Sequence, residues 1–167
     1  NFGKRVRGVL TSAKIMPLVF MRENGGGKTS WAIKAIYYAV DNGAWVINNS
    51  WGSSKFNQQL VDAVKYANSK DIPFVVAAGN RPKNNDARDQ FPANIEVDNV
   101  ISVGSLSYFG TKSSFSSFGR RSVDILAPGQ NILSSNFPNQ YAGLYKSVSG
   151  TSYAAPFVSA AIAYLKA

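Results

Sequence analysis

The sequence of 167 residues contains no cysteine and no histidine. Without cysteine, disulfides, thiolate nucleophiles and cysteine-bound zinc are excluded, but the compartment stays open because many secreted proteins also lack disulfides. Without histidine, neither an imidazole base nor a histidine-bound metal can be built from these residues alone. A mechanism that uses such a base would have to take it from outside them.

Charged residues are scarce, at 16% of the chain, and no apolar run approaches the roughly 20 residues that a membrane span needs. Together with a hydrophobic fraction of 45%, this composition excludes a disordered chain and is typical of a soluble globular domain of ordinary size. Residues 1–4 show no apolar core of a signal peptide, so we expect none within this sequence.

The charge balance is basic, with 18 Lys and Arg against 9 Asp and Glu and a net charge of +9. Such a balance would suit a nucleic acid or another polyanion if the cations were clustered. They are instead spread along the chain, and only residues 4–7 and 120–121 are dense in them. We therefore predict a solvated basic surface, with neither a nucleic-acid nor a membrane partner.

Strands and helices alternate in the first half of the sequence. Short apolar runs predict buried strands at residues 13–20, 44–48 and 74–78. Apolar residues at helical spacing predict two amphipathic helices between these strands, the first with Thr29 or Ser30 as its N-cap. The apolar positions are Ile33, Ile36, Tyr37 and Val40 in the first helix, and Leu60, Ala63, Val64 and Ala67 in the second. This alternation predicts a parallel sheet covered by helices.

The second half is less periodic. Residues 81–99 and 113–117 are predicted loops, and residues 100–105 and 123–126 are predicted strands. Residues 151–165 are apolar nearly all round, which predicts a helix buried in the middle of the domain.

Several polar and glycine-rich segments directly follow predicted strands. They are Gly25 to Gly27, Asn48 to Gly52 and Gly79-Asn80. The carboxyl ends of parallel strands lie at one edge of the sheet, where ligands of open α/β sheets bind. Ser152 opens the final helix, where a nucleophile would feel the positive end of the helix dipole. Taken alone, each segment is more typical of a turn, a flexible loop or an N-cap than of a functional site.

The order of these segments is more specific than any one of them. The chain reads KIMPL, NGGGKTSW, AVDNGAWVINNSWGS, PFVVAAGN, SFSSFG, VDILAPG and SGTSYAAPFVSAAIAYL. In this order the sequence resembles the subtilisin-like serine proteases over essentially all 167 residues. The strongest signatures are G-T-S-x-A-x-P at 150–156 and A-A-G-N at 77–80. The resemblance implies an α/β, subtilisin-like fold, incomplete on its N-terminal side, in a single partial catalytic domain over residues 1–167.

The resemblance also implies roles for individual residues. Ser152 matches the nucleophile of the family, and Asn80 matches the side-chain donor of the oxyanion hole. The two roles belong together, because negative charge develops on the carbonyl oxygen under attack and a fixed donor stabilises it without reorganising. Matches to the substrate-binding segments are the strand-pairing edge Gly25, Gly26 and Gly27, and the two pocket walls Ser50, Trp51 and Gly52, and Ala77, Ala78 and Gly79.

The sequence departs from the family pattern in two ways. Tyr153 and Phe157 replace the usual Met and His after the nucleophile, and Trp51 is bulky for a pocket wall. More seriously, the D-T/S-G and H-G-T-H segments that carry the catalytic Asp and His are absent. We therefore expect an N-terminal segment of the same catalytic domain to supply both groups, and we expect the 167 residues alone to be inactive.

By the same resemblance, the substrate is a protein or peptide, the chemistry needs no cofactor, and the location is secreted or extracytoplasmic. The resemblance does not decide whether a structural Ca²⁺ is bound.

Two other functions remain as alternatives. A catalytically dead subtilase-like module would only bind peptides. A nucleotide-binding protein would use Gly25 to Ser30 as a phosphate loop, but Arg22 stands where the P-loop pattern needs its first glycine.

Overall fold

The computed structural model describes residues 6–22, 25–136 and 144–167. The helices are α1 (Thr29–Asp41), α2 (Gln58–Asn68) and α3 (Thr151–Leu165). The strands are β1 (Ile47–Asn49), β2 (Phe74–Ala77), β3 (Val100–Leu106), β4 (Ile125–Pro128), β5 (Ile132–Ser135) and β6 (Tyr145–Val148).

Four of the strands form a parallel sheet in the order β1-β2-β3-β4. The register places Ala77 of β2 beside Val103 of β3, and Leu106 at the end of β3 beside Pro128 of β4. All four strands therefore end at the same edge of the sheet. This arrangement confirms the predicted α/β class with a parallel sheet.

Helices cover both faces of this sheet. Phe74 and Val76 of β2 pack into one apolar cluster with α1 and α2, whereas Val75, between them, packs into a second cluster with Ala154 and Ala155 of α3. Neighbouring residues of a strand point to opposite faces, so the continuous apolar run of β2 serves both layers. All four residues of β2 are accordingly buried.

Two details of the helices differ from prediction. The N-cap of α1 is Lys28, which makes no side-chain cap, so the prediction of Thr29 or Ser30 is wrong by one or two residues. Helix α3 is buried only on one side, at Thr151, Ala154, Ala155 and Ser159. Its carboxyl-terminal Tyr164 and Leu165 are 69% and 82% exposed, because no second layer of the described residues covers them.

The predicted strand at residues 13–20 is wrong. The described chain has no strand there, and Ile15 and Val19 are 82% and 92% exposed. An apolar run becomes a strand only when a neighbouring strand accepts and donates its backbone hydrogen bonds, and nothing among the described residues pairs with this segment.

The other strand predictions shift by up to three residues, and one hairpin is new. β1 begins at Ile47 rather than at residue 44, and β4 begins at Ile125 rather than at residue 123. Strands β5 and β6 pair antiparallel in a separate two-stranded sheet that the sequence patterns did not predict. The residues of these strands, ILSS and YKSV, do not alternate between apolar and polar, so the sequence carries no strong period-2 signal there.

Candidate active site

Ser152 is the second residue of α3, at the edge where the strands of the parallel sheet end. Its hydroxyl donates to the backbone carbonyl of Ser50 at 3.1 Å, and the hydroxyl of Ser50 donates to the carbonyl of Ser152 at 2.9 Å. This reciprocal pair fixes the start of α3 against the loop that follows β1. It brings together two of the segments that were singled out in the sequence.

A chain of side-chain hydrogen bonds extends this contact along α3. Asn48 donates to the hydroxyl of Ser50 at 3.1 Å, and Ser159, almost two turns beyond Ser152, donates to Oδ1 of Asn48 at 2.9 Å. The helix is therefore held to β1 at two points of its length. Such double attachment restricts rotation of the helix about its axis and keeps the Ser152 side chain at the sheet edge.

Asn80 lies beside the N-terminus of α3 and is held there by Thr151. Its Oδ1 accepts from the backbone N–H of Thr151 at 2.8 Å and from the Thr151 hydroxyl at 2.9 Å. Because both bonds end on the amide oxygen, the amide nitrogen stays available as a donor. No hydrogen bond between described residues uses that nitrogen.

Thr151 was not singled out in the sequence, although it stands in the G-T-S motif. Its side chain is fully buried, and its hydroxyl also accepts from the backbone N–H of Gly79 at 3.1 Å. Gly79 has a φ of +113°, a value that residues with a side chain rarely adopt. A Cβ at this position would lie 2.9 Å from the hydroxyl of Ser117. One buried threonine thus joins Gly79, in the second predicted wall, to Asn80.

The two predicted pocket walls lie on either side of the Gln90 side chain. A Cβ on Gly52 would collide with Nε2 of Gln90, and a Cβ on Gly79 would lie 3.7 Å from Cγ of the same side chain. Ala77 and Ala78, which belong to the second predicted wall, are buried. Gln90 lies in a segment predicted only as a loop, and no sequence signal marked it.

The bulky Trp51 contacts neighbouring residues on its own side of the site. Its indole N–H donates to Oδ1 of Asn49 at 3.2 Å, and its ring meets Phe20 edge-on with the centroids 5.4 Å apart. These contacts give the half-buried ring a fixed position in the first predicted wall.

The predicted substrate-pairing glycines form the turn of a small hairpin. Gly27 pairs with Met21 in an antiparallel bridge, and Arg22 donates its backbone N–H to the carbonyl of Gly26 at 2.8 Å. Gly25, Gly26 and Gly27 are all exposed. The Lys28 ammonium lies 5.4 Å from the ring centroid of Trp31, so its charge is directed at an aromatic face.

Asp86 is held by the loop that carries Arg120 and Arg121. Its carboxylate accepts from the Ser122 hydroxyl at 2.7 Å and from the backbone N–H groups of Arg120 and Ser122 at 2.8 and 3.0 Å. The hydrogen bond from the Ser122 side chain and the bonds from these backbone groups hold the pKa of Asp86 below its usual value. The Asp86 carboxylate thus joins the segment after β2 to residues 120–122.

No group of three or more Asp, Glu, His or Cys side chains in residues 6–22, 25–136 and 144–167 could hold a metal ion. That part of the chain therefore contains no acidic cluster for the structural Ca²⁺ that the family resemblance left undecided. Within the same residues, no helix combines the length and hydrophobicity of a membrane span.

The sequence of the chain matches a known protein family. The model of the subtilase family matches residues 1–167. Subtilisin-like protease 2 of Plasmodium falciparum (isolate 3D7) is 40% identical over 157 residues, which are 92% of this chain and 11% of that protein. The major intracellular serine protease of Bacillus subtilis (strain 168) is 36% identical over 162 residues, 96% of this chain and 49% of that protein.

Solved structures agree with the sequence comparison. A cold adapted subtilisin-like serine proteinase superposes with a TM-score of 0.74 and 34% identity, covering 88% of this chain and 51% of that one. The prenylagaramide maturation protease PagA gives a TM-score of 0.72 and 31% identity, covering 85% of this chain and 50% of that one.

The chain spans about half, or less, of the length of the proteins that it resembles. One relative is named intracellular, so membership of this group does not by itself fix the compartment. By its sequence and by its fold, the chain belongs to the subtilase family.

Proposed function

We propose that the protein containing this chain is a serine endopeptidase of the subtilisin type, which hydrolyses peptide bonds through an acyl-enzyme on Ser152. The observation that carries the proposal is the junction at the start of α3. There, Thr151 donates two hydrogen bonds to Oδ1 of Asn80. Thr151 directly precedes Ser152 in the chain.

In this mechanism Ser152 Oγ attacks the carbonyl carbon of the substrate, and a negative charge develops on the carbonyl oxygen. Two donors are suited to stabilise that charge. One is Nδ2 of Asn80, because Oδ1 is already committed to Thr151. The other is the backbone N–H of Ser152, since N–H groups in the first turn of a helix have no intrahelical acceptor.

The proton of Ser152 needs an acceptor that these 167 residues do not contain. The hydroxyl donates to the carbonyl of Ser50, which is neutral and cannot take the proton at neutral pH. The sequence has no histidine that could do so. We therefore propose that an N-terminal segment of the same catalytic domain supplies the base and its orienting carboxylate, and that the 167 residues alone are inactive.

Two unpaired features favour such a segment. Residues 13–20 form an apolar run without a strand partner among the described residues, with Ile15 and Val19 exposed. β1 forms one edge of the sheet and pairs only with β2 among the described strands. A strand added between this edge and residues 13–20 would satisfy the backbone groups of both.

For the substrate we propose an extended protein or peptide chain that adds as a strand beside the exposed glycines Gly25, Gly26 and Gly27. Small side chains there keep the approach of another backbone clear. Nucleic acid and membrane are not proposed as partners, and the proposed location is secreted or extracytoplasmic. The location depends on the family resemblance alone.

The full-length protein tests the nucleophile directly. A fluorescent serine-directed phosphonate should form a covalent adduct that mass spectrometry maps to Ser152, because only an activated serine reacts at an appreciable rate. Ser152→Ala should abolish labelling and peptide hydrolysis, whereas Ser114→Ala, on an exposed loop, should change neither. Peptide binding without any labelling would favour the alternative of a dead binding module, and an adduct at another serine would contradict the assignment.

A further inference from the structure

The segment SFSSFG, at residues 114–119, is part of the family resemblance but has no role in the proposed mechanism. We infer that Ser117 in this segment is a positioning residue, which holds the backbone on both sides of Asn80. It thereby fixes Nδ2 of Asn80 where the carbonyl oxygen of the substrate becomes negative. The inference rests on the proposed function and adds a residue to it.

Ser117 forms hydrogen bonds to the two residues that flank Asn80. Its backbone N–H donates to the carbonyl of Gly79 at 2.9 Å, and its hydroxyl donates to the carbonyl of Arg81 at 2.6 Å. Ser117 is fully buried, so water does not compete for these bonds. A single residue thus holds one carbonyl before Asn80 and one carbonyl after it.

Asn80 depends on such contacts more than a core residue would. Its side chain is exposed, so packing does not fix it, and it follows Gly79, a residue type with a wide range of backbone conformations. Thr151 holds only the amide oxygen at the end of the side chain. An oxyanion donor is effective when it is in place before the charge develops, so the backbone of Asn80 has to be held as well.

The segment around Ser117 is itself anchored on two sides. On one side, the hydroxyl of Ser116 accepts from the N–H of Ser105 in β3 at 2.9 Å. On the other side, the carbonyl of Phe118 accepts from the N–H of Asn85 at 2.7 Å. The segment therefore connects β3, an inner strand of the sheet, to the loop that follows β2.

The test removes the Ser117 hydroxyl and measures hydrolysis of a fluorogenic peptide by the full-length protein. Ser117→Ala keeps the backbone bond to Gly79 and loses the bond to Arg81. We expect kcat to fall about three- to tenfold, with KM changed by less than about twofold, because the donor acts only on the developing charge.

Ser113→Ala is the matched control. Ser113 is also buried, and its hydroxyl forms a hydrogen bond of 2.8 Å with the hydroxyl of Ser105. Urea unfolding should show a comparable loss of stability in both variants, whereas kcat should stay unchanged in Ser113→Ala. A loss of kcat that appears only in Ser117→Ala is therefore not an effect of lower stability.

A double variant shows whether Ser117 acts through Asn80. In protein that already carries Asn80→Ala, the addition of Ser117→Ala should not lower kcat further, because the donor that Ser117 positions is gone. The same loss of kcat with and without Asn80 would overturn the inference, and so would an unchanged kcat in Ser117→Ala.

Backbone dynamics separate this inference from the proposed function. Nitrogen-15 relaxation of the labelled full-length protein should give the Asn80 amide an order parameter of about 0.85 in wild type and nearer to about 0.6 in Ser117→Ala. Such a fall supports the positioning role even if wild type hydrolyses nothing, in which case the endopeptidase proposal alone fails. An order parameter that Ser117→Ala leaves unchanged would overturn the positioning role while the peptidase activity stands.

Discussion

At the scale of single residues, Thr151 orients the donor that the proposed mechanism needs. Its backbone N–H and its hydroxyl both donate to Oδ1 of Asn80, and its hydroxyl accepts from Gly79. Thr151→Val keeps the shape of this buried side chain but removes the hydroxyl. We expect kcat of the full-length enzyme to fall about tenfold, the equivalent of about 1.4 kcal/mol of lost hydrogen bonding, with little change in KM.

The same substitution leaves the N–H of Gly79 without its acceptor, which should lower the free energy of unfolding by about 1–3 kcal/mol. Thr151→Ser retains the hydroxyl and should restore kcat. Steady-state kinetics and urea unfolding of the three proteins separate the two effects. If Thr151→Val lowered stability and left kcat unchanged, Thr151 would be a packing residue only and would not position Asn80.

At the scale of elements, Asp86 joins the segment after β2 to the loop before β4. Its carboxylate accepts from the Ser122 hydroxyl and from backbone N–H groups of residues 120–122, and these bonds lower its pKa in the folded state. Its contribution to stability is therefore complete above the unfolded pKa of about 3.9 and is lost as the pH falls through the folded value.

Asp86→Asn should lower the thermal midpoint of unfolding at neutral pH. The difference in midpoint between this variant and wild type should become smaller as the pH drops below about 4. Circular dichroism melts between pH 7 and pH 2 measure this gap. Asp89→Asn, an exposed carboxylate on the same segment, is the control and should show a small gap at every pH. A gap for Asp86→Asn that stayed constant down to pH 2 would mean that the carboxylate charge is not what holds the loop.

Elements with a strong apolar period could be predicted from the sequence, and elements that depend on a distant partner could not. Helix α2 was predictable because Leu60, Val64 and Ala67 fall on one face. Strand β2 was predictable because a fully apolar run suits a strand covered on both sides. The run at residues 13–20 is also mostly apolar, yet it is not a strand, because no strand among the described residues pairs with it.

The residues of the candidate site also differ in how far the sequence predicts them. Ser152 and Asn80 stand in contiguous motifs, so the sequence alone singled them out, and the fold brings them to one helix terminus. Gln90 stands in a polar loop without a recognisable motif. The bridge between Ser53 and Phe91 brings this segment beside the two glycine walls, and that pairing depends on tertiary structure.

At the scale of the whole molecule, the parallel sheet places the site where several loops converge. β1 ends before Ser50, β2 ends before Gly79 and Asn80, and α3 begins beside both. The two helical layers cover the sheet faces, but the edge at β1 has only one partner strand in the described chain. In the proposed fold, one added strand lies between this edge and the exposed apolar run at residues 13–20.

The outer side of β1, which has no partner among the described strands, leads to a prediction for the full-length protein. If another strand of the catalytic domain pairs with residues 13–20, their amides should exchange with deuterium at least about a hundredfold more slowly in the full-length protein than in the isolated 167 residues, because backbone pairing closes them to solvent. Hydrogen exchange with mass spectrometry measures both proteins. The amides of β2, which pairs with strands on both sides, serve as the internal control and should be protected in each. Equally fast exchange of residues 13–20 in both proteins would contradict the added strand, and with it the proposed place for the missing base.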